Sequence, residues 1–291
     1  MMQKQHVLGI FYWVVFGNYW VSAGLVALYA VSCNAFEMAF SWVWAAALFF
    51  AAVSVYTYHR VGPGTALQPD SIIGSRRNWI VANRKALQIQ MLVSAAIAVG
   101  LFSIQCAWNQ WLFLFPLAAI ALVYILPFIP YKRSRLRLRE LPFAKIFIIA
   151  AVWIVLSILP LVSDLVPLTA NRSLQLMLLQ RLLFLFAIAI PFDVRDMEID
   201  RHRGVKTLAT ALGAEKSIQV SQILLGLSAL VCWMAYQSQI WSGPLSLAMA
   251  VSAASTALML ARIKSDSEEM TFSFWLEGSM LDQLFWVQMF I

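Results

Sequence analysis

Charged side chains are scarce in this sequence. They make up 12% of its 291 residues, whereas a soluble domain of average composition carries about 25%. The sequence is instead 62% hydrophobic, with a mean hydropathy of +0.76. This composition excludes an ordinary soluble domain and predicts a membrane protein.

Cysteine is also rare. Cys33, Cys106 and Cys232 lie far apart, with no CxxC pair and no Cys/His spacing of the kind that binds zinc. The pattern indicates neither a zinc site nor a disulfide framework. We therefore expect buried thiols with no part in the chemistry.

Long charge-free runs dominate the chain. About 20 apolar residues cross a bilayer as a helix, and polar waists at "QCAWNQ" and "QSQIWSGP" divide the two longest runs into two crossings each. The first run is too long for the core of a cleaved signal peptide. The sequence therefore predicts an all-α membrane protein with nine transmembrane helices. The predicted spans lie in 7–36, 38–58, 86–131 (two), 146–163, 173–192, 217–261 (two) and 270–291.

The cations orient these spans. The N-terminal tail and the loops after the second, fourth, sixth and eighth spans hold 18 of the 21 Lys and Arg. Because cytoplasmic loops collect Lys and Arg, we expect a multi-pass protein of the cell (inner) membrane. Its N-terminus would be cytoplasmic and its C-terminus on the opposite side. The net charge of +7 then reflects topology and anionic membrane lipid, and it requires no nucleic-acid partner.

The loops after the second and sixth spans are separated by four crossings, so they must lie on one face of the membrane. Both are unusually long or polar. This layout predicts a single domain, 1–291, with two parallel bundle-like halves, roughly 1–131 and 132–291, around a shared pocket.

The stretch "DVRDMEIDRHRGVKTLATALG" (193–213) is the most polar part of the chain. If it is helical, Asp193 and Asp200 point within about 20° of each other and Asp196 lies about 60° away. Carboxylates on one face raise one another's pKa unless a cation intervenes, and Mg²⁺ suits carboxylates that share it with a phosphate ligand. The alternative is a solvated juxtamembrane loop that is salt-bridged to its own cations.

This stretch resembles the second aspartate-rich motif of the UbiA superfamily of intramembrane prenyltransferases. The family pattern is DxxDxxxD, then a basic residue, Gly, Lys or Arg, and Thr-Leu. The matching residues are Asp193, Asp196, Asp200, Arg201, Gly204, Lys206, Thr207, Leu208 and Gly213. The segment "YILPFIPYKRSRLRLRELPFAK" also resembles the family's tyrosine-proline and basic segment after the fourth helix.

The resemblance implies a chemistry. In such a protein Mg²⁺ and aspartates grip a prenyl diphosphate, which ionises to an allylic cation that a lipophilic, usually aromatic acceptor attacks. It implies Asp193, Asp196 and Asp200 as catalytic, metal-binding residues. The cations expected to bind substrate are Arg60, Lys145, Arg195, Arg201 and Lys206.

The first aspartate-rich motif of the family is missing. The second span is followed by "VYTYHRVGPGTALQPDSIIGSRRNW", in which Asp70 is the only acid. Cations such as Arg60 could replace one Mg²⁺, because a guanidinium fork suits phosphate oxygens. Lys145 would either snorkel to the interface or face the pocket. Arg181, near mid-span, would pair with Glu277 or Asp282 of the last span.

Two other functions stay open. A catalytically reduced relative would bind isoprenoid lipid or support a membrane complex, and the missing motif favours it. A small-solute transporter would more often carry broken helices near mid-membrane and polar groups across the bilayer, whereas here the polar groups crowd one face.

Overall fold

The computed structural model describes residues 2–62, 75–124, 126–131, 134–138, 141, 143–161, 171–202, 204–264 and 267–291. The helices before the hairpin are α1 (Met2–Phe16), α2 (Tyr19–Ala35), α3 (Trp42–Val61), α4 (Ser75–Ala82), α5 (Arg84–Gln105) and α6 (Trp108–Val123). Two strands follow, β1 (Pro127–Tyr131) and β2 (Ser134–Arg137). The helices after them are α7 (Ala144–Ile158), α8 (Arg172–Arg195), α9 (Met197–His202), α10 (Leu208–Leu212), α11 (Ala214–Gln237), α12 (Gly243–Leu260) and α13 (Glu277–Phe290). A 3₁₀ turn, Leu159–Leu161, extends α7, and a π-helical turn, Thr271–Leu276, precedes α13.

The described residues place apolar helices in every predicted span. Six of these helices are long and apolar enough to cross a membrane, and the bent pair α1–α2 would make a seventh. The helix α6 has 16 residues, fewer than the roughly 20 needed for a crossing, and α13 is not among the six. The prediction of a helical, multi-pass membrane protein is confirmed, while nine crossings and two parallel halves stay predictions.

The first predicted span is not one straight helix. It bends by 54° between α1 and α2, where Asn18 has a left-handed backbone with φ 71°. A Cβ on Gly17 would lie 2.2 Å from the carbonyl oxygen of Trp13, so this close approach requires glycine. The side chain of Asn18 donates a hydrogen bond to Thr57 Oγ1 at 3.1 Å, which ties the bend to α3.

The helical bundle contains one short β-hairpin. The strands β1 and β2 form an antiparallel hairpin between α6 and α7. Pro127 and Pro130 lie in this segment, and a proline inside a helix removes a backbone hydrogen bond and clashes with the preceding turn. The helix of the fourth predicted span therefore ends at Val123, before the apolar run does.

The helix α2 joins the two parts of the bundle. It packs against α3, α7 and α13. The helices α8, α11, α12 and α13 follow one another in contact, and α7 also packs against α8, which closes a ring. Leu28, Leu48, Phe184 and Phe272 are fully buried in the resulting core.

Membrane orientation can be tested with fusion reporters at residues 62, 135 and 210. We expect all three to report cytoplasm, because the positive-inside rule places these basic loops there. A reporter at 239, in the turn between α11 and α12, is the matched control and should report the opposite side. A non-cytoplasmic signal at any of the first three sites would contradict the topology.

Candidate functional site

A cavity of about 860 Å³, its open mouth included, lies between α2, α3, α7, α8 and the start of α13. Much of its wall is apolar, including Val21, Ile149, Trp153, Leu185, Ile188 and Met280. Its charged and hydroxyl-bearing lining residues are Tyr56, Arg60, Arg76, Lys145, Arg195, Asp196 and Glu277. Cations thus outnumber carboxylates on the described wall.

Helix ends bring three of the predicted cations to this cavity. Arg60 lies in the last turn of α3, Lys145 in the first turn of α7 and Arg195 in the last turn of α8. The ends of the second and sixth predicted spans therefore meet at one shared pocket. Of the two alternatives for Lys145, the structure places it at the pocket.

The three predicted aspartates do not share one continuous helix. The helix α8 ends at Arg195, and Asp196 is its C-cap residue, with φ −86° and ψ 0°. Asp196 lies on the cavity wall, Asp193 is only 1% exposed, and Asp200 lies on the following short helix, α9. The Asp200 N–H donates to the Asp196 carbonyl oxygen at 2.9 Å, so the chain turns directly from α8 into α9, and the common face of the three carboxylates stays a prediction.

Lys145 joins two of these aspartates. Its Nζ donates a hydrogen bond to Asp193 Oδ1 at 2.8 Å and lies 3.5 Å from Asp196 Oδ2. The Lys145 ammonium group thus lies between the two carboxylates. In the prediction from the sequence, these carboxylates bind a metal ion.

Arg195 connects Asp196 to a second acid. Its Nε and NH2 donate to the two Asp196 carboxylate oxygens at 2.8 and 3.2 Å, and its NH1 donates to Glu269 Oε1 at 3.2 Å. Burial alone would raise the pKa of Asp196, but Arg195 and Lys145 outweigh burial and lower the pKa to about 2. Asp196 is therefore ionised at physiological pH. The Arg195 guanidinium also lies over the ring of Phe192, 5.2 Å from its centroid.

Arg76, Glu269 and Glu277 were missed as site residues by sequence reasoning. Arg76 NH1 donates to Glu269 Oε1 at 3.1 Å and to Ser273 Oγ, and Arg76 NH2 lies 4.0 Å from Glu277 Oε1. Burial would raise the pKa of Glu269, but Arg195 and Arg76 hold it below its usual value. The available signal was an acid within the apolar last run, at Glu277.

Two of the predicted substrate ligands lie outside the cavity. Arg201 is exposed and donates to Glu198 at 3.0 Å, and Lys206 is exposed in the segment before α10. Neither side chain lines the cavity, and their contact with a phosphate group stays a prediction. Asp70, the one acid of the missing first motif, lies outside the described residues.

The sequence suggested that Arg181 pairs with Glu277 or Asp282. In the structure it pairs with neither of them. It is fully buried, and it donates to the Leu28 carbonyl oxygen at 3.0 Å and to Ser157 and Ser32 at 2.9 and 3.2 Å. Glu277 instead lines the cavity, and Asp282 accepts a hydrogen bond from Ser255.

The donor set constrains any metal site. Within the described residues, no group of three His, Cys, Asp or Glu side chains is arranged to hold a metal ion. Mg²⁺ commonly takes one or two carboxylates and completes its shell with water and substrate phosphate. Asp196, the aspartate on the cavity wall, fits a metal that is shared with a bound phosphate. The roles of Asp193 and Asp200 as metal ligands stay predictions.

One family model matches most of this chain, and several solved structures share its fold. The model of the UbiA prenyltransferase family matches residues 69–281. The fold is similar to that of a UbiA homologue from Archaeoglobus fulgidus bound to GPP and Mg²⁺, with a TM-score of 0.64 and 12% identity over 96% of this chain and 99% of that one. A UbiA homologue from Aeropyrum pernix has a TM-score of 0.58 and 14% identity, with 95% and 94% covered. A digeranylgeranylglyceryl phosphate synthase structure has a TM-score of 0.53 and 17% identity, with 96% of each chain covered. Comparison with curated protein sequences gave no match.

Proposed function

Because this chain belongs to the UbiA prenyltransferase family, we propose that it transfers a prenyl group from an isoprenoid diphosphate to a lipophilic, aromatic acceptor. The observation that carries the proposal is the cavity, which joins a cationic end to an apolar interior. A prenyl diphosphate has the same two parts, a polyanion and a hydrocarbon chain. GPP in the Archaeoglobus relative supports a ligand of this class.

Arg60, Lys145 and Arg195 are the groups that would hold the diphosphate. Arg60 lines the cavity, and in the described part of the chain it has no hydrogen bond or ion pair. An unpaired guanidinium beside a cavity suits phosphate oxygens, which it can contact at two points. Lys145 and Arg195 are held in position by Asp193, Asp196 and Glu269.

The reaction separates charge, and the cavity offers a place for each part. The bond between the first prenyl carbon and the diphosphate oxygen breaks, and its electron pair leaves with the diphosphate, beside the cations. Positive charge develops on the allyl group, where the rings of Tyr56, Trp153 and Phe192 can stabilise it and the apolar wall excludes water. The acceptor then supplies the electron pair of the new bond, and the proton that it loses passes to an oxygen of the released diphosphate.

We further propose Asp196 as the member of the predicted trio Asp193, Asp196 and Asp200 that holds Mg²⁺. Mg²⁺ shared between Asp196 and the diphosphate would supply Lewis-acid stabilisation of the leaving group. Our reason is its place on the cavity wall.

A catalytically reduced relative is the second candidate. The observation that favours it is Lys145, which already neutralises Asp193 and Asp196. Such a protein would bind an isoprenoid diphosphate and release no pyrophosphate. A transporter is disfavoured, because the charged side chains that line the cavity come from helix ends rather than from a path across the bilayer.

The direct test is Arg60→Asp in purified protein. We expect this change to weaken geranyl diphosphate binding at least about 10-fold, even in excess Mg²⁺, because it removes a charged contact and adds repulsion. Binding is measured by calorimetry on protein in nanodiscs, and turnover by release of pyrophosphate when acceptor is present.

The matched control is Arg201→Asp, which makes the same charge change on the exposed face of α9 and should leave binding within about 2-fold. If Arg60→Asp binds geranyl diphosphate as well as the unchanged protein, Arg60 is not a phosphate ligand. Binding by the unchanged protein without any pyrophosphate release would favour the reduced relative, and absence of binding would reject both.

A further inference from the structure

Arg76 and Glu277 form an incompletely bonded pair in the cavity wall. Both side chains line the cavity, and both residues are only 6% exposed. Arg76 NH2 lies 4.0 Å from Glu277 Oε1, which is too long for a hydrogen bond. Glu277 Oε2 and the Nε and NH2 groups of Arg76 have no hydrogen-bond partner in the described part of the protein.

Such groups need a partner, because buried polar atoms are almost always hydrogen-bonded. A diphosphate offers acceptors alone, so it cannot satisfy the Glu277 carboxylate and would repel it. A hydroxyl group is both a donor and an acceptor. Placed between the two side chains, it would donate to Glu277 Oε2 and accept from Arg76 NH2.

The pair adjoins the cations proposed for the diphosphate, because Arg76 NH1 and Arg195 NH1 both donate to Glu269 Oε1, but it differs from them in its helices and in its bonding. Glu277 begins α13, and Arg76 lies on α4, whereas Lys145 and Arg195 lie on α7 and α8 and are bonded to Asp193 and Asp196. The apolar Leu276 and Met280 flank Glu277 on the same wall. A hydrophobic molecule in contact with this wall would meet one place for a hydroxyl group.

We propose that Glu277, supported by Arg76, is the residue that recognises the acceptor, by accepting a hydrogen bond from an acceptor hydroxyl group. This inference rests on the proposed function, since it assigns the acceptor side of the same cavity. It limits the acceptor to lipophilic molecules with a free O–H group, and Glu277 becomes the residue that selects them over their ethers and hydrocarbons.

The test compares two probes that differ in one O–H group, 2-naphthol and 2-methoxynaphthalene. Their binding to nanodisc-embedded protein is measured by calorimetry, with empty nanodiscs as the blank for partitioning into lipid. We expect the unchanged protein to bind 2-naphthol at least about 10-fold more tightly than the ether, the usual effect of a hydrogen bond to a charged group.

Variants of Glu277 should remove this preference. In Glu277→Leu the two probes should bind within about 2-fold of each other, while Glu277→Gln, which keeps a carbonyl oxygen, should retain part of the preference. The matched control is Glu268→Gln, an exposed acid on the segment before the π-helical turn, which should behave as the unchanged protein does. Geranyl diphosphate binding, measured on each variant, should not weaken, and this shows that the cavity is intact.

Equal binding of the two probes to the unchanged protein would overturn the inference, as would a preference that survives in Glu277→Leu. Those results together with normal geranyl diphosphate turnover would reject the acceptor site at Glu277 and leave the proposed function standing. A Glu277-dependent preference without any geranyl diphosphate binding would support the hydroxyl site and reject the proposed function instead.

Discussion

Replacing Lys145 with methionine should lower the free energy of unfolding by about 3–5 kcal/mol, the usual cost of leaving a buried charge without its partner. Lys145 Nζ lies 2.8 Å from Asp193 Oδ1, and the Asp193 side chain is 2% exposed. Without the ammonium group, this carboxylate would lose its cationic partner and would have almost no contact with water. Asp196 would keep Arg195 as its partner. The measurement is unfolding in mixed micelles, followed by tryptophan fluorescence.

Two further variants make this prediction specific. Lys216→Met removes an exposed lysine at the start of α11 and should change stability by less than about 0.5 kcal/mol. The double variant Lys145→Met with Asp193→Leu should regain most of the loss, because replacing both members of a buried pair by apolar groups is often near neutral. A double variant no more stable than Lys145→Met alone would show that the ion pair was not the cause.

Arg181→Ala should be equally damaging, with a loss of about 4 kcal/mol or more. The side chain is 0% exposed, and its hydrogen bonds connect α8 to Leu28 on α2 and to Ser157 on α7. Truncation removes hydrogen bonds to a charged group, each contributing about 1.5–3 kcal/mol. It also leaves a cavity that costs about 24 cal/mol per Å³. Relief of the desolvation of a buried cation offsets part of this loss.

Arg172→Ala is the matched control, because Arg172 is an exposed arginine at the start of the same helix. It should cost less than about 0.5 kcal/mol. Arg181→Met fills most of the volume without the charge and should recover part of the loss. If Arg181→Ala unfolds no more easily than Arg172→Ala, the buried hydrogen bonds do not hold α2, α7 and α8 together.

A cation lies where the family's first aspartate-rich motif would be expected. Where the family pattern places carboxylates, at the end of the second span, this chain has Arg60, which lines the cavity. Fixed cations can neutralise a polyanion without a second metal ion. They do not reproduce the short, strict oxygen contacts of Mg²⁺, so we expect ionisation to be slower than at a site that holds a second metal ion.

The sequence by itself determined the class, the positions of the apolar helices and the polar face. These are local properties, because a segment in lipid must satisfy its own backbone hydrogen bonds and needs about 20 apolar residues to cross. Asp193, Asp196 and Asp200 could be predicted as one group because they are neighbours in the chain. The bend at Gly17 and the hairpin after α6 were missed, since a charge-free run looks the same whether it is straight, bent or ended early.

Only the tertiary structure decided which side chains meet. Lys145 and Asp193 are 48 residues apart, and Arg76 and Glu269 are 193 apart. Their contacts depend on how each helix is rotated about its axis, and packing against several distant helices sets that rotation. The same rotation places Glu277 in the cavity and leaves Arg181 to the carbonyl and hydroxyl oxygens of α2 and α7. No local pattern carries that information, because it arises when the whole bundle closes.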